Sequence, residues 1–294
     1  MKKRLLSMFT ALTLCVAFVP APALAEEETA SGGGLIGGLE EGGAGELNNS
    51  YNKGEDSGSG LIGAGEGASE NGATEISAAE DLAGAVGKGG SVKLAADIDI
   101  SATLVVAGDA TLDLNGYVLR MANNGGSVLK VKGGGSLTIE DSNPNTAHKF
   151  TPNSDGLWVL DENGAKTVKG GIITGGTGTS INGGADTYGG GVFVESKGAL
   201  VITGGSIVGC SAAADGGGVC VGNIYDTAGG SSSFDMAGGR IIGCVARYGG
   251  GAYVAPMGEF YMNPGAEICN CVARSGGGVY ITRNSITGNG VLTL

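Results

Sequence analysis

The chain is poor in the residues that mark several common classes. Aromatics make up 5 % and charged residues 16 % of its 294 positions, with one histidine, one tryptophan and six prolines. So little proline, with no G-X-Y period, excludes collagen. A hydrophobic share of 41 % excludes a wholly solvated coil. Base is scarce as well: 17 Lys and Arg against 29 Asp and Glu give a formal charge of −12. Such a surface repels nucleic acid and anionic membrane, so neither is expected as a partner. The longest apolar run, Leu5 to Val19, is too short to cross a bilayer, and no membrane span is expected.

Glycine is what the chain has in excess, at 61 residues, roughly three times the usual share of about 7 %. Its distribution divides the sequence. Residues 1–25 read as a secretory signal: Lys2, Lys3 and Arg4 precede the apolar run, and Ala23-Leu24-Ala25 supplies a small-x-small cleavage site. The expected location is therefore secreted, extracellular or cell-surface associated. Cys15 follows Leu12-Thr13-Leu14, which lacks the small residues of a lipobox. Residues 26–75 carry eleven acids against the single base Lys53 among Gly, Ser and Asn, a composition expected of a disordered linker. Within it Gly34-Leu35-Ile36-Gly37 returns as Gly60-Leu61-Ile62-Gly63, read either as a docking motif or as low-complexity drift.

From residue 76 the pattern changes. Ser77-Ala78-Ala79-Glu80 has capping-box spacing, and Ala79, Leu82, Ala83 and Val86 share one helical face, with Gly87 as the expected stop. A helix this short needs something to lie on, and the first layer of the domain behind it is the candidate. Apolar residues then alternate at period two: Val92 and Leu94, Ile98 and Ile100, Leu104 and Val106, Leu112 and Leu114, Leu137 and Ile139. Gly, Asn and Asp interrupt them, which predicts many short strands.

The second half repeats. A glycine triplet followed by Val or Ala begins at Gly189, Gly216, Gly249 and Gly276, with spacings of 27, 33 and 27. A strand comes after each: Val192 to Val194, Val219 to Val221, Ala252 to Val254, Val279 to Ile281. A second strand is predicted at Leu200, Phe234 and Phe260, and a third at Ile207, Ile241 and Ile268. The longer spacing reads as a loop insertion around Asn223 to Ser232. A unit of about 27 residues and three short strands cannot close a core alone; it buries its inward side chains by stacking on the next copy. The expected fold is all-β, a solenoid of about seven parallel coils over 76–294 capped by the N-terminal helix.

These repeats resemble the parallel β-helix regions, right-handed in that group, of secreted bacterial adhesin-like surface proteins. The Gly-Gly-Gly-Val and Ile-Val-Gly-Cys units are similar to the passenger repeats of polymorphic outer-membrane autotransporters. Leu112-Asp113-Leu114-Asn115-Gly116 and Leu137-Thr138-Ile139-Glu140-Asp141-Ser142 look like entry coils of the same group. The resemblance spans 76–294 and departs where Cys210, Cys244 and Cys271 stand at the usual Asn position, which Asn289 restores. It implies a non-enzymatic, adhesin-like protein with a rigid face for glycans or for host and neighbour cell surfaces. The same fold also hosts pectin-degrading polysaccharide lyases and glycoside hydrolases, which form the alternative.

Several residues are candidates for chemistry. If the repeats stack, Cys210, Cys244 and Cys271 align in consecutive coils, either as a disulfide ladder or as packed free thiols. Cys269-Asn270-Cys271 has the wrong spacing for zinc, the sole His148 lies far upstream, and no metal or cofactor is expected. Asp186, Asp215, Asp226 and Asp235 stand singly near turns, so no catalytic residue is assigned. In the Val-x-Val strands the middle residue points away from the valines. Phe193, Tyr253 and Tyr280 are thus expected on one outer face, with Cys220 among them and Tyr188 and Tyr248 nearby, as an exposed ring ladder for sugars or as mere cover for a sheet. Arg247 and Arg274 align beside them. Trp158 reads as a packing residue. Val291-Leu292-Thr293-Leu294 reads as the second strand of a coil, so a further C-terminal domain or a partner chain is expected to cap it.

Overall fold

The computed structural model describes residues 72–294 apart from 124, 223–224, 226–229 and 285–287. The expected signal, most of the expected linker and most of the expected loop insertion lie outside the described residues. Among the described residues no helix is long and apolar enough to cross a membrane.

Three long parallel sheets organise the chain. An eight-stranded sheet runs Thr74–Ile76, Gly90–Leu94, Asp109–Asp113, Ser136–Glu140, Ala199–Ile202, Ser232–Met236, Gly258–Met262 and Val291–Thr293. One six-stranded sheet contains Ile98–Ile100, Val118–Met121, Ile172–Thr174, Ser206–Val208, Arg240–Ile242 and Glu267–Cys269; it is called here the Ile207 sheet. The other contains Leu104–Val106, Leu129–Val131, Val192–Val194, Val219–Val221, Ala252–Val254 and Val279–Ile281; it is the Val192 sheet. From Gly90 onward the chain visits these sheets in one cyclic order, as in an all-β parallel solenoid. Val192, Val219, Ala252 and Val279 are direct cross-strand partners in succession, and so are Leu200, Phe234, Phe260 and Leu292.

The period-two residues explain the core. Leu94, Leu112, Leu137, Leu200, Phe234 and Phe260 are buried in one continuous cluster with Val192, Val219, Ile207 and Ile241. Each such side chain contributes about 1.5–3 kcal/mol on burial. Phe234 and Phe260 add a ring stack at 4.5 Å between neighbouring strands.

The glycine triplet satisfies three separate demands, visible at Gly216-Gly217-Gly218. Gly216 has φ +69°, a left-handed turn that a side chain disfavours. A Cβ on Gly217 would stand 2.6 Å from the carbonyl oxygens of Gly250 and Val245. One on Gly218 would stand 2.6 Å from Ile241 Cγ2, inside the core. With no side chains in the way, the Gly217 and Gly218 amides donate to Gly249 and Gly250 of the next rung, both at 3.1 Å.

The entry to the domain departs from expectation. Thr74 and Glu75, assigned to the linker, already pair with Val92 and Lys93. The helix runs Ala79–Lys88, with Ala78 as its N-cap and no side-chain cap bond, so the Ser77/Glu80 capping box does not form. Gly87 lies inside the helix, and the left-handed residue is Gly89, φ +81°. The strand Thr74–Ile76 holds Ser77 just outside the first turn. Leu82 and Val86 are buried on the first layer, as the amphipathic face requires.

Two insertions cover the solenoid's outer faces. Ala147–Pro152, Trp158–Leu160 and Lys166–Lys169 make an antiparallel sheet. Its Phe150 and Trp158 pack with Val208 and Ile242 over the Ile207 sheet, and the Trp158 amide donates to Gly243 O at 3.0 Å. The hairpin Thr179–Ser180 with Thr187–Tyr188 lies beside the Val192 sheet.

Candidate functional site

The ring column exists but is not an exposed ladder. Phe193, Cys220, Tyr253 and Tyr280 are partners in register along the Val192 sheet. Phe193 is 2 % and Tyr253 4 % exposed, and Tyr188 and Cys220 are buried too. They form a second apolar cluster with Ala214 and Ala255, against which Ile181 of the hairpin packs. Burial pushes the Tyr188 and Tyr253 hydroxyls well above their ordinary range. Tyr188 keeps a partner in Tyr225, at 3.1 Å between hydroxyls. Only Tyr248 and Tyr280 are half-buried, 5.1 Å apart and tilted. The rings therefore act as the cover that was the other reading of this face.

Surface chemistry gathers beside them. Asp215 bridges Tyr188 and Tyr248 in a short parallel ladder, so the residue before each glycine triplet forms its own column. Asp215 is 4 % exposed; burial raises its pKa to about 6, with Arg247 opposing and Asp186 reinforcing the rise. Arg247 pairs with Asp186 at 3.2 Å and lies 5.6 Å over the Tyr248 ring. In the next rung Arg274 occupies the equivalent place, between the pairs Ala246–Ala273 and Tyr248–Ser275, and is exposed.

Taken singly along the sequence these acids belong to separate turns. The hairpin carries Asp186 back to Arg247, which sits 61 residues away in sequence. The triplet alignment did hold a signal, because Tyr188, Asp215 and Tyr248 each precede a triplet. A carboxylate in an aromatic column is one that burial will perturb.

A groove of about 510 Å3 opens next to this group, lined by Thr177, Thr187, Ser211, Ala213, Val245 and Arg247 among others. Most of its lining side chains are small, and Thr187 Oγ1 is tied to Thr177 O and to the Ala213 amide.

The thiol column is in register. Cys210, Cys244 and Cys271 each come two residues after a strand of the Ile207 sheet and pack into the main core, and all are free thiols. Cys269 packs instead on the Trp158 cluster. No family, curated protein or solved structure matches the chain. The class supported is thus a strand-rich, repeat-like protein with long parallel sheets.

Proposed function

We propose that the protein is a secreted or cell-surface, non-enzymatic and adhesin-like β-helix that holds a glycan or similar surface ligand on a rigid face. The helix is right-handed, in line with the rule that about 98 % of parallel crossovers take that hand. Its later coils without an insertion have about 27 residues, a size supported by the pairings of Val192 with Val219 and of Ala252 with Val279, while the entry coils are shorter, as the pairing of Val92 with Leu112 shows.

One observation carries the binding reading: the groove lined mostly by small side chains and flanked by Arg247, which lies over the Tyr248 ring, with Arg274 in register on the next strand. A guanidinium donates a fork of hydrogen bonds to sugar hydroxyls, and the half-buried edges of Tyr248 and Tyr280 supply apolar contact. The rest of the ring column stiffens the face from beneath. A glycan array probed with the full chain tests this. Retained signal that falls at least about tenfold in the Arg247→Gln/Arg274→Gln double variant is expected, a loss of about 1.4 kcal/mol. An array with no retained signal overturns it and leaves a structural stalk.

The grouping of Asp186, Asp215 and Arg247 favours one second reading, a polysaccharide lyase or glycoside hydrolase in which Asp215, raised to a pKa of about 6, exchanges a proton just below neutral pH. New reducing or unsaturated ends after incubation with acidic and neutral polysaccharides would establish that activity and displace the adhesin reading.

A further inference from the structure

The cysteine column lies apart from the groove, and nothing in the binding reading uses it. Its register is fixed on both sides: Ile207, Ile241 and Ile268 pair in succession before it, and Ser211, Val245 and Val272 after it. Each thiol repeats the same contacts. Cys244 Sγ lies 3.5 Å from Ile242 O and 3.9 Å from Ile207 O of the preceding rung. Cys271 Sγ lies 3.4 Å from Cys269 O and 3.7 Å from Ile241 O. The two side chains therefore point the same way, into one core. In-register residues on adjacent strands stand ~4.8 Å apart at Cα, within the ~4.4–6.8 Å that a disulfide spans.

Accessibility separates the candidate pairs. Cys210 and Cys244 are both fully buried, whereas Cys271 is partly open to solvent. Cys220 faces the aromatic cluster and Cys269 the Trp158 cluster, so neither shares the column. We propose that Cys244 and Cys271 form an intrachain disulfide across two successive rungs, while Cys210 remains a thiol. The oxidant is an external low-molecular-weight disulfide. The Cys271 thiolate attacks one of its sulfurs and releases one thiol. The Cys244 thiolate then attacks the mixed disulfide at Cys271 and releases the second. Two protein thiols are oxidised, one external disulfide is reduced, and the two protons leave on the released thiols. Burial holds the Cys244 thiol, and the contact with Cys244 followed by burial holds the Cys271 thiol, well above the ordinary pKa, so thiolate is scarce and the exchange is slow. The cross-link adds a covalent bond between rungs that strand pairing and core packing already hold together.

The inference rests on register and exposure, independently of any ligand. The full chain is incubated with oxidised glutathione, alkylated, cut with trypsin and mapped by mass spectrometry. Cleavage after Arg240, Arg247 and Arg274 places Cys244 in peptide 241–247 and Cys271 in peptide 248–274, which also holds Cys269. The expected result is a linked 241–247/248–274 pair that survives Cys269→Ser and disappears in Cys271→Ser, with a loss of two titratable thiols in the unmodified chain. Fragmentation of the wild-type linked pair assigns the bond without any variant. Linkage through Cys269, linkage of Cys210 to Cys244, or an unchanged thiol count would each overturn the proposal.

Discussion

Between the eight-stranded sheet and the Ile207 sheet, the early rungs turn on acidic and amide side chains, whereas the later rungs turn the same corner on glycine. Asp113 accepts the amides of Asn115 and Ser142, both at 2.8 Å, and Asn115 Nδ2 donates to Leu94 O at 3.0 Å. Asp141 accepts the amides of Gly116 and Gly171, both at 2.8 Å, and so joins one corner to the next. In the later rungs Thr203-Gly204-Gly205 and Ala237-Gly238-Gly239 make the turn without a carboxylate, mainly through backbone: Gly238 N donates to Ile202 O at 2.9 Å and Arg240 N to Gly205 O at 3.1 Å, with the Thr203 hydroxyl donating to Ile139 O at 3.2 Å. Both designs give the corner amides acceptors, as their burial demands. The early corners add a carboxylate to such glycines as Gly116, φ +77°, whereas the later corners rest on paired glycines without one. The first design depends on charge, the second on shape.

The sharpest break of this comparison is Gly239→Ala. Gly239 has φ +71°, and its Cβ would stand 2.8 Å from Gly205 O and from Ile202 Cγ2. A loss of about 3–4 kcal/mol is expected from the denaturation midpoint at any pH. An unchanged midpoint would mean that shape does not govern the later corners. Asp141→Ala comes next, at about 2 kcal/mol, because it strands two amides. Amide hydrogen exchange should show faster opening around Gly116 and Gly171, with the later rungs still protected.

The smallest effect concerns sign. Hydrogen bonds from Ser142 and Asn115 outweigh the cost of burial at Asp113 and hold its carboxyl below the ordinary range. Its contribution is present above the ordinary carboxylate pKa and fades as pH falls through the lowered value. Asp215 runs the other way: its native pKa of about 6 exceeds the ordinary 3.8, so the native state prefers the protonated form and stability falls as pH rises from about 4 to 6. The rise from 3.8 to about 6 corresponds to at most about 3 kcal/mol. Asp215→Asn, whose amide must still be buried, should therefore gain about 1 kcal/mol of it at pH 7 and flatten that fall. A loss of stability at pH 7 would show that the charge is held favourably by Arg247 instead.

Much of the architecture was legible in the chain. The alternation at Val92, Leu112 and Leu137 and the triplets at Gly189, Gly216, Gly249 and Gly276 name the stacked residues, because period two and close backbone approach are local demands. The environment of Phe193 and Tyr253 was not legible. Pointing away from the valines does put a side chain on the outer face, but whether water reaches it depends on what else packs there. The hairpin around Ile181 and the small residues Ala214 and Ala255 show no alternation that would announce such cover. Asp186 and Arg247 meet for the same reason: the hairpin, far away in sequence, folds back over the ladder.

By itself, then, the order of residues decided which side chains face inward and which repeats lie in register, since strand alternation and glycine's missing Cβ act over a few neighbours. Only the tertiary structure decided that the rings are buried, that Asp215 lies beside Asp186 and Arg247, and that Cys271 stays open while Cys210 and Cys244 do not. Burial and proximity are sums over distant segments, and no local pattern contains them.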